Sequence, residues 1–83
     1  MNINNKVKEI VATTIDCNIS EIKDSSRIID DLGADSLDIY EIVDHLEKEF
    51  NVELDNYAYS SVKGNTIESV VELINTLINN KNG

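Results

Sequence analysis

At 83 residues the chain has room for one small hydrophobic core, which argues for a single domain over residues 1–83 and against a deep catalytic cleft. The 16 Asp and Glu outnumber the 7 Lys and Arg, giving a net charge of -9. That excludes nucleic acid, whose phosphates are bound by Lys and Arg that release counterions, and points to basic protein surfaces as partners. Proline is absent, glycine occurs only at Gly33, Gly64 and Gly83, and Cys17 is the single cysteine. Helix breakers are therefore scarce, no internal disulfide can form, and a reducing, cytoplasmic setting is expected with Cys17 as a small packed residue.

The start of the chain has no apolar signal-type run, and no later stretch is apolar enough to insert in a membrane. Ile3, Val7, Ile10, Val11 and Ile15 recur every three or four residues, which predicts a helix over 3–15 with Asn2 as its cap. From Cys17 to Asp35 the period is lost. Ser20, Asp24, Ser25, Ser26 and Gly33 break up Ile19, Ile22, Ile28, Ile29 and Leu32, which predicts a long loop pinned to the core by its aliphatic side chains. Long ordered loops more often position a functional group than merely connect elements, so the far end of this one draws attention. There Asp35 or Ser36 can cap a helix running to Phe50, with Ile39, Ile42, Val43, Leu46 and Phe50 as its buried stripe.

Between Asn51 and Val62 the pattern predicts at most one short helix around Asn56–Ser61, with Val52, Leu54, Tyr57 and Val62 turned inward. Asn65 or Thr66 can then cap a last helix, with Glu68 near its positive end and Ile67, Val70, Val71, Ile74, Leu77 and Ile78 as the apolar face. The tail, about 79–83, is expected to fray. These elements predict an all-α four-helix bundle: three longer helices, one short helix and a long first loop, with a monomer as the expected state.

On the second helix, advancing about 100° per residue, Asp38, Glu41 and Asp44 fall opposite the apolar stripe, with Leu37 among them and Ser36 at their head. An apolar side chain set in a carboxylate ridge is what a docking surface needs, charge for steering and an anchor for the centre. From Asp30 to Asp55 the acids are Asp30, Asp31, Asp35, Asp38, Glu41, Asp44, Glu47, Glu49, Glu53 and Asp55, and Lys48 is the only Lys or Arg. Lys48 can reach Asp44 four residues back, which relieves about 0.2–0.5 kcal/mol of the repulsion.

The run Asp31-Leu32-Gly33-Ala34-Asp35-Ser36-Leu37-Asp38, followed by Glu41, Leu46, Glu47, Glu49 and Phe50, closely resembles the acyl carrier protein signature, and the resemblance extends over nearly the whole chain. It implies a non-catalytic carrier of acyl intermediates in fatty acid biosynthesis. In that family a transferase moves 4'-phosphopantetheine from coenzyme A, with a divalent metal, onto the serine of Asp-Ser-Leu, which here is Ser36. The thiol of the arm then holds acyl groups. The resemblance further implies that Asp35, Leu37, Asp38, Glu41, Asp44 and Glu47 meet Lys- and Arg-rich patches on the transferase and on fatty acid synthesis enzymes, and that the acyl chain can retreat between the helices. Tyr40, Asp44, His45 and the run Asn56-Tyr57-Ala58-Tyr59 depart from the usual pattern on or near this face.

Other readings fit less well. His45 is nine residues along the same helix from Ser36, roughly 13 Å of rise, too far for a base acting on that hydroxyl. A calcium loop begun at Asp30 would put Leu32 and Ala34 at ligand positions and Asp35 where glycine belongs, so no resident metal is expected. Carriers of polyketide, aminoacyl, peptidyl or D-alanyl groups share the bundle and the modified serine; the Gly-Ala-Asp-Ser-Leu-Asp run favours the fatty-acid type.

Overall fold

The computed structural model describes residues 2–54 and 56–82, with the side chains at 56–58, 61, 81 and 82 excepted. Four helices follow in order: α1 (Ile3–Ile15), α2 (Ser36–Phe50), α3 (Asn56–Lys63) and α4 (Ile67–Asn82), with a short 3-10 turn at Ile19–Glu21. α1 packs on both α2 and α4, while α3 bridges α2 and α4. The expected all-α bundle with three longer helices, one short one and a long first loop is what the chain forms.

Each start has a local cause. The Asn2 side chain accepts from the Asn5 N–H at 3.2 Å, and Thr66 Oγ1 accepts from the Ser69 N–H at 3.2 Å, so both ends use a short polar side chain to satisfy a donor with no intrahelical partner. α1 and α2 stop where Asp16 (φ 59°) and Asn51 (φ 54°) turn left-handed, a conformation Asn and Asp tolerate better than most residues. α3 runs to Lys63, two residues past the expected Ser61, and α4 continues to Asn82, further than the sequence pattern carried it. No breaker precedes Gly83 to stop the last helix.

The core gathers Val7, Ile10 and Val11 of α1, Ile39, Ile42, Val43, Leu46 and Phe50 of α2, and Ile67, Val70 and Ile74 of α4. Val62 closes it from α3, and Val52 is buried just before that helix. Val71, Leu77 and Ile78 sit half-buried at the edge of the α4 stripe, as does Leu54 ahead of α3. The inward placement expected of Tyr57 lies outside the described side chains. Among the described residues no buried side-chain nitrogen or oxygen lacks a hydrogen-bond partner, and no helix is long and apolar enough to cross a membrane.

Candidate functional site

The loop before α2 is tied to the start of α4. Glu68 N–H donates to the Asp24 carbonyl (2.9 Å), Ile67 N–H to that of Ser26 (3.0 Å), and Ile28 N–H to that of Asn65 (3.2 Å), beside an isolated antiparallel bridge between Arg27 and Thr66. Ser26 is buried and its hydroxyl accepts from Lys23 N–H at 2.9 Å. Ile22 and Ile28 are buried and Ile29 and Leu32 half-buried, so four of the five aliphatic residues expected to pin the loop do so. Ile19 does not: the 3-10 turn leaves it exposed.

The loop then winds into a turn. The Arg27 carbonyl accepts from Asp31 and Leu32, that of Ile29 from Gly33, and that of Ile28 from Ala34, while the Asp31 carboxylate holds the Arg27 N–H at 2.8 Å. Gly33 leaves this turn at φ +76°, where a side chain is strained. Ala34, only 5% exposed, tucks in behind it. Asp35 and Asp38 close the start of α2 reciprocally. Asp35 Oδ1 accepts from Asp38 N–H at 2.8 Å, and Asp38 Oδ2 from Asp35 N–H at 3.1 Å, a capping box that makes Ser36 the first helical residue.

Ser36 is thereby exposed at the end of a braced turn, and a Cβ built on neighbouring Gly33 would meet nothing within 4 Å. Leu37, Glu41 and Asp44 are exposed on the outer face of α2, as the sequence predicts, and Leu37 is 66% open. Lys48 Nζ lies 3.0 Å from Asp44 Oδ2, the i,i+4 pair expected. Asp38 is half-buried and turned to its cap. Glu47 is half-buried too, because its Oε2 accepts from the Leu54 N–H at 2.9 Å and so holds the chain entering α3. Tyr40 is exposed yet stacked on Tyr59 of α3, ring centroids 4.4 Å apart and 23° from parallel. Partial burial, then the nearness of Tyr40, pushes the Tyr59 phenol up.

The sequence reading missed Ser26, Ala34 and the Tyr40–Tyr59 contact. Ala34 alone carries a local signal, a small residue between a turn glycine and a cap. His45 and Cys17 share an open groove between α1 and α2 with Ile10, Ile19 and Lys48, on a different side of α2 from the Tyr40–Tyr59 contact. Partial burial, followed by the charges of Glu21 and Asp16, pushes the Cys17 thiol up, which keeps it protonated and weakly nucleophilic. Among the described residues there is no group of three or more His, Cys, Asp or Glu able to hold a metal ion.

An exposed serine at the capped start of α2 thus stands beside an acidic face with an apolar tip. The family model described as "Phosphopantetheine attachment site" matches residues 5–74. The chain is 38% identical over 76 residues to an acyl carrier protein of Wolinella succinogenes, covering 92% of this chain and 97% of that one. It is 53% identical over 49 residues to an acyl carrier protein of Clostridium acetobutylicum, covering 59% and 64% respectively. The chain belongs to the phosphopantetheine-attachment family and, within it, to the acyl carrier proteins. Its prosthetic group is accordingly phosphopantetheine and its role that of a non-catalytic carrier, with acyl groups as cargo and enzymes as partners.

Proposed function

We propose that Ser36 carries the 4'-phosphopantetheine arm, that residues 1–83 form one carrier domain, and that the protein shuttles acyl thioesters between enzymes of fatty acid biosynthesis in the cytoplasm. The observation that carries this reading is the exposure of Ser36 as the first residue of α2, on a turn fixed by Gly33, Ala34 and the Asp35–Asp38 cap. A phosphodiester on Ser36 would stand at the exposed start of α2. Its charge meets the positive end of α2, which favours it, and Asp35 and Asp38, which oppose it. The two aspartates serve Ser36 by fixing the helix start and by presenting it to a basic transferase. When bound, the arm supplies a thiol that holds acyl groups as thioesters; the chain supplies position and recognition.

Leu37, Glu41 and Asp44 form the docking face for Lys- and Arg-rich patches, with Asp35 and Asp38 at its head, and charge there steers encounter more than it adds affinity. Glu47 contributes to the same field while its carboxylate braces Leu54. The test is to incubate the chain with coenzyme A, magnesium and a broad-specificity phosphopantetheinyl transferase and weigh it intact. One arm is expected on the native chain and none on Ser36→Ala. Loading by a malonyl transferase and elongation by a ketosynthase should follow. Acceptance of aminoacyl groups alone would replace the fatty-acid role with that of a peptidyl or D-alanyl carrier.

A further inference from the structure

Of the two large rings on α2, Phe50 is buried in the core and Tyr40 is 61% exposed. One face of the Tyr40 ring lies against Tyr59 of α3, with centroids 4.4 Å apart and planes 23° from parallel. The exposure that remains belongs to the other ring face and the hydroxyl edge. A solitary surface tyrosine turns among rotamers, and a partner that uses it must bear the entropy of stopping it. The stack holds this one in place before any partner arrives. Along α2, Tyr40 stands one turn from Ser36, from Leu37 and from Asp44, spacings of three and four residues that leave Cβ atoms about 5–6 Å apart.

Most of the acids around this ring are engaged within the chain. Asp35 and Asp38 cap one another's N–H groups, Asp44 pairs with Lys48, and Glu47 braces Leu54. Glu41, next to Tyr40 and one turn after Leu37, is exposed and has no ion pair among the described residues. The face therefore offers an apolar tip, an open aromatic face and an unanswered carboxylate. A lysine ammonium can answer the carboxylate, but it is compact and strongly hydrated and gives up water to lie on a ring. An arginine guanidinium is planar and more weakly hydrated, lies flat on an aromatic face and still directs N–H groups sideways to a carboxylate. Resting on the docking role given above to α2, we propose that Tyr40 seats an arginine side chain of the partner enzyme, with Tyr59 holding the ring and Glu41 supplying the charge beside it. The carrier thereby separates partners whose basic patch presents arginine at this point from those that present lysine, a distinction that an acidic face alone does not make.

Two alanine-based helical peptides, one with three arginines and one with three lysines at four-residue spacing, serve as probes of equal charge. Each is titrated at fixed salt into the full chain while the Tyr40 ring and Leu37 methyl resonances are followed. The arginine peptide should bind roughly two- to fivefold tighter, the ratio that a cation–π contact of about 0.5–1 kcal/mol gives at about 1.4 kcal/mol per factor of ten. Tyr40→Phe should keep that ratio and Tyr40→Leu should lose most of it. Glu41→Gln should weaken both peptides, and Tyr59→Ala should leave a smaller ratio than the native chain. Equal affinities for the two peptides in the native chain overturn the proposal without recourse to any variant. So does a Tyr40→Leu chain that folds and keeps the full preference for arginine, while a Tyr59→Ala chain with the native ratio removes the stack from the account. The peptides need no arm on Ser36, so a lost preference for arginine leaves the attachment reading untouched, and a chain that gains no mass from the transferase condemns that reading alone.

Discussion

Asp35 has two tasks that pull in opposite directions, since its carboxylate caps α2 at 2.8 Å from Asp38 N–H while adding charge to an already acidic helix start. Substitution separates them. Asp35→Ala removes both and should cost about 1 kcal/mol through the lost cap, lowering the melting temperature by roughly 4–8 °C. Asp35→Asn keeps an acceptor and sheds the charge, so it should melt at or above the native temperature. Thermal denaturation of the pair decides it; if both variants melt alike, the cap is not what Asp35 contributes.

Asp24 gives a residue-scale pH dependence. Hydrogen bonds from Asn4 (2.9 Å) and Lys8 (2.9 Å), and then the Lys8 charge, hold its carboxyl below the ordinary aspartate value. A pKa lower in the folded chain than in the unfolded one means that the unfolded chain binds the proton more readily as pH falls. The stabilisation is therefore complete above the ordinary aspartate pKa and lost as pH falls through the lowered value. General relief of acid repulsion runs the other way over the same range. The informative quantity is thus the difference between native and Asp24→Asn melting temperatures, which should shrink on acidification. A difference independent of pH would show that the Asn4–Lys8 contacts do not act through the charge.

At the scale of elements, the helices with strong apolar stripes were legible because a 3.6-residue period reports directly on a buried face. The stripes of α1 and α2 gave their extents and that of α4 its start but not its end, while Asn2, Asp35 (with Ser36 as the alternative) and Thr66 (with Asn65) announced the starts through side-chain chemistry that needs only neighbours three residues on. The long loop was legible as a loop but not in its path. Its hydrogen bonds to α4 join main-chain groups about forty residues apart, such as Ser26 with Ile67, and any residue could supply them. Tyr40 was legible as unusual and not as paired, because nothing local points from it to Tyr59. Glu47 was read as part of the acid face, since its contact with Leu54 depends on how the chain turns after Asn51. Within the loop, Gly33 is the position most open to test. Its φ of +76° with free space at Cβ means that Gly33→Ala is opposed by backbone strain and not by a clash. A loss of about 1 kcal/mol is expected, and Gly33→Asn should lose less because Asn visits that region more easily. Equal losses in urea denaturation would mean the cost arises elsewhere than in φ.

For the molecule as a whole, the -9 charge is a liability to the fold and, on the function proposed above, an asset to recognition. Ion pairs engage Lys6 with Glu9 and Glu49, Lys8 with Asp24, Arg27 with Asp30 and Lys48 with Asp44, yet only Lys48 stands on α2 among its acids. Exposed pairs of this kind are worth about 0–1 kcal/mol each, so most of the α2 field is left for a partner or for salt to neutralise. Raising ionic strength from about 0.01 M to about 0.15 M cuts the Debye length from about 30 Å to about 8 Å. That range exceeds the one-turn spacing of the α2 acids, about 5.4 Å, only modestly at the upper salt level, so stabilisation should continue as salt rises further. We expect the melting temperature to climb by several degrees with sodium chloride, and Glu41→Gln to raise it at low salt while flattening the climb. The same substitution should slow association with a basic transferase, and that rate should fall as salt rises. A melting temperature indifferent to salt, or a Glu41→Gln chain that gains no stability at low salt, would show that the acidic face costs the fold nothing and that its charge serves encounter alone.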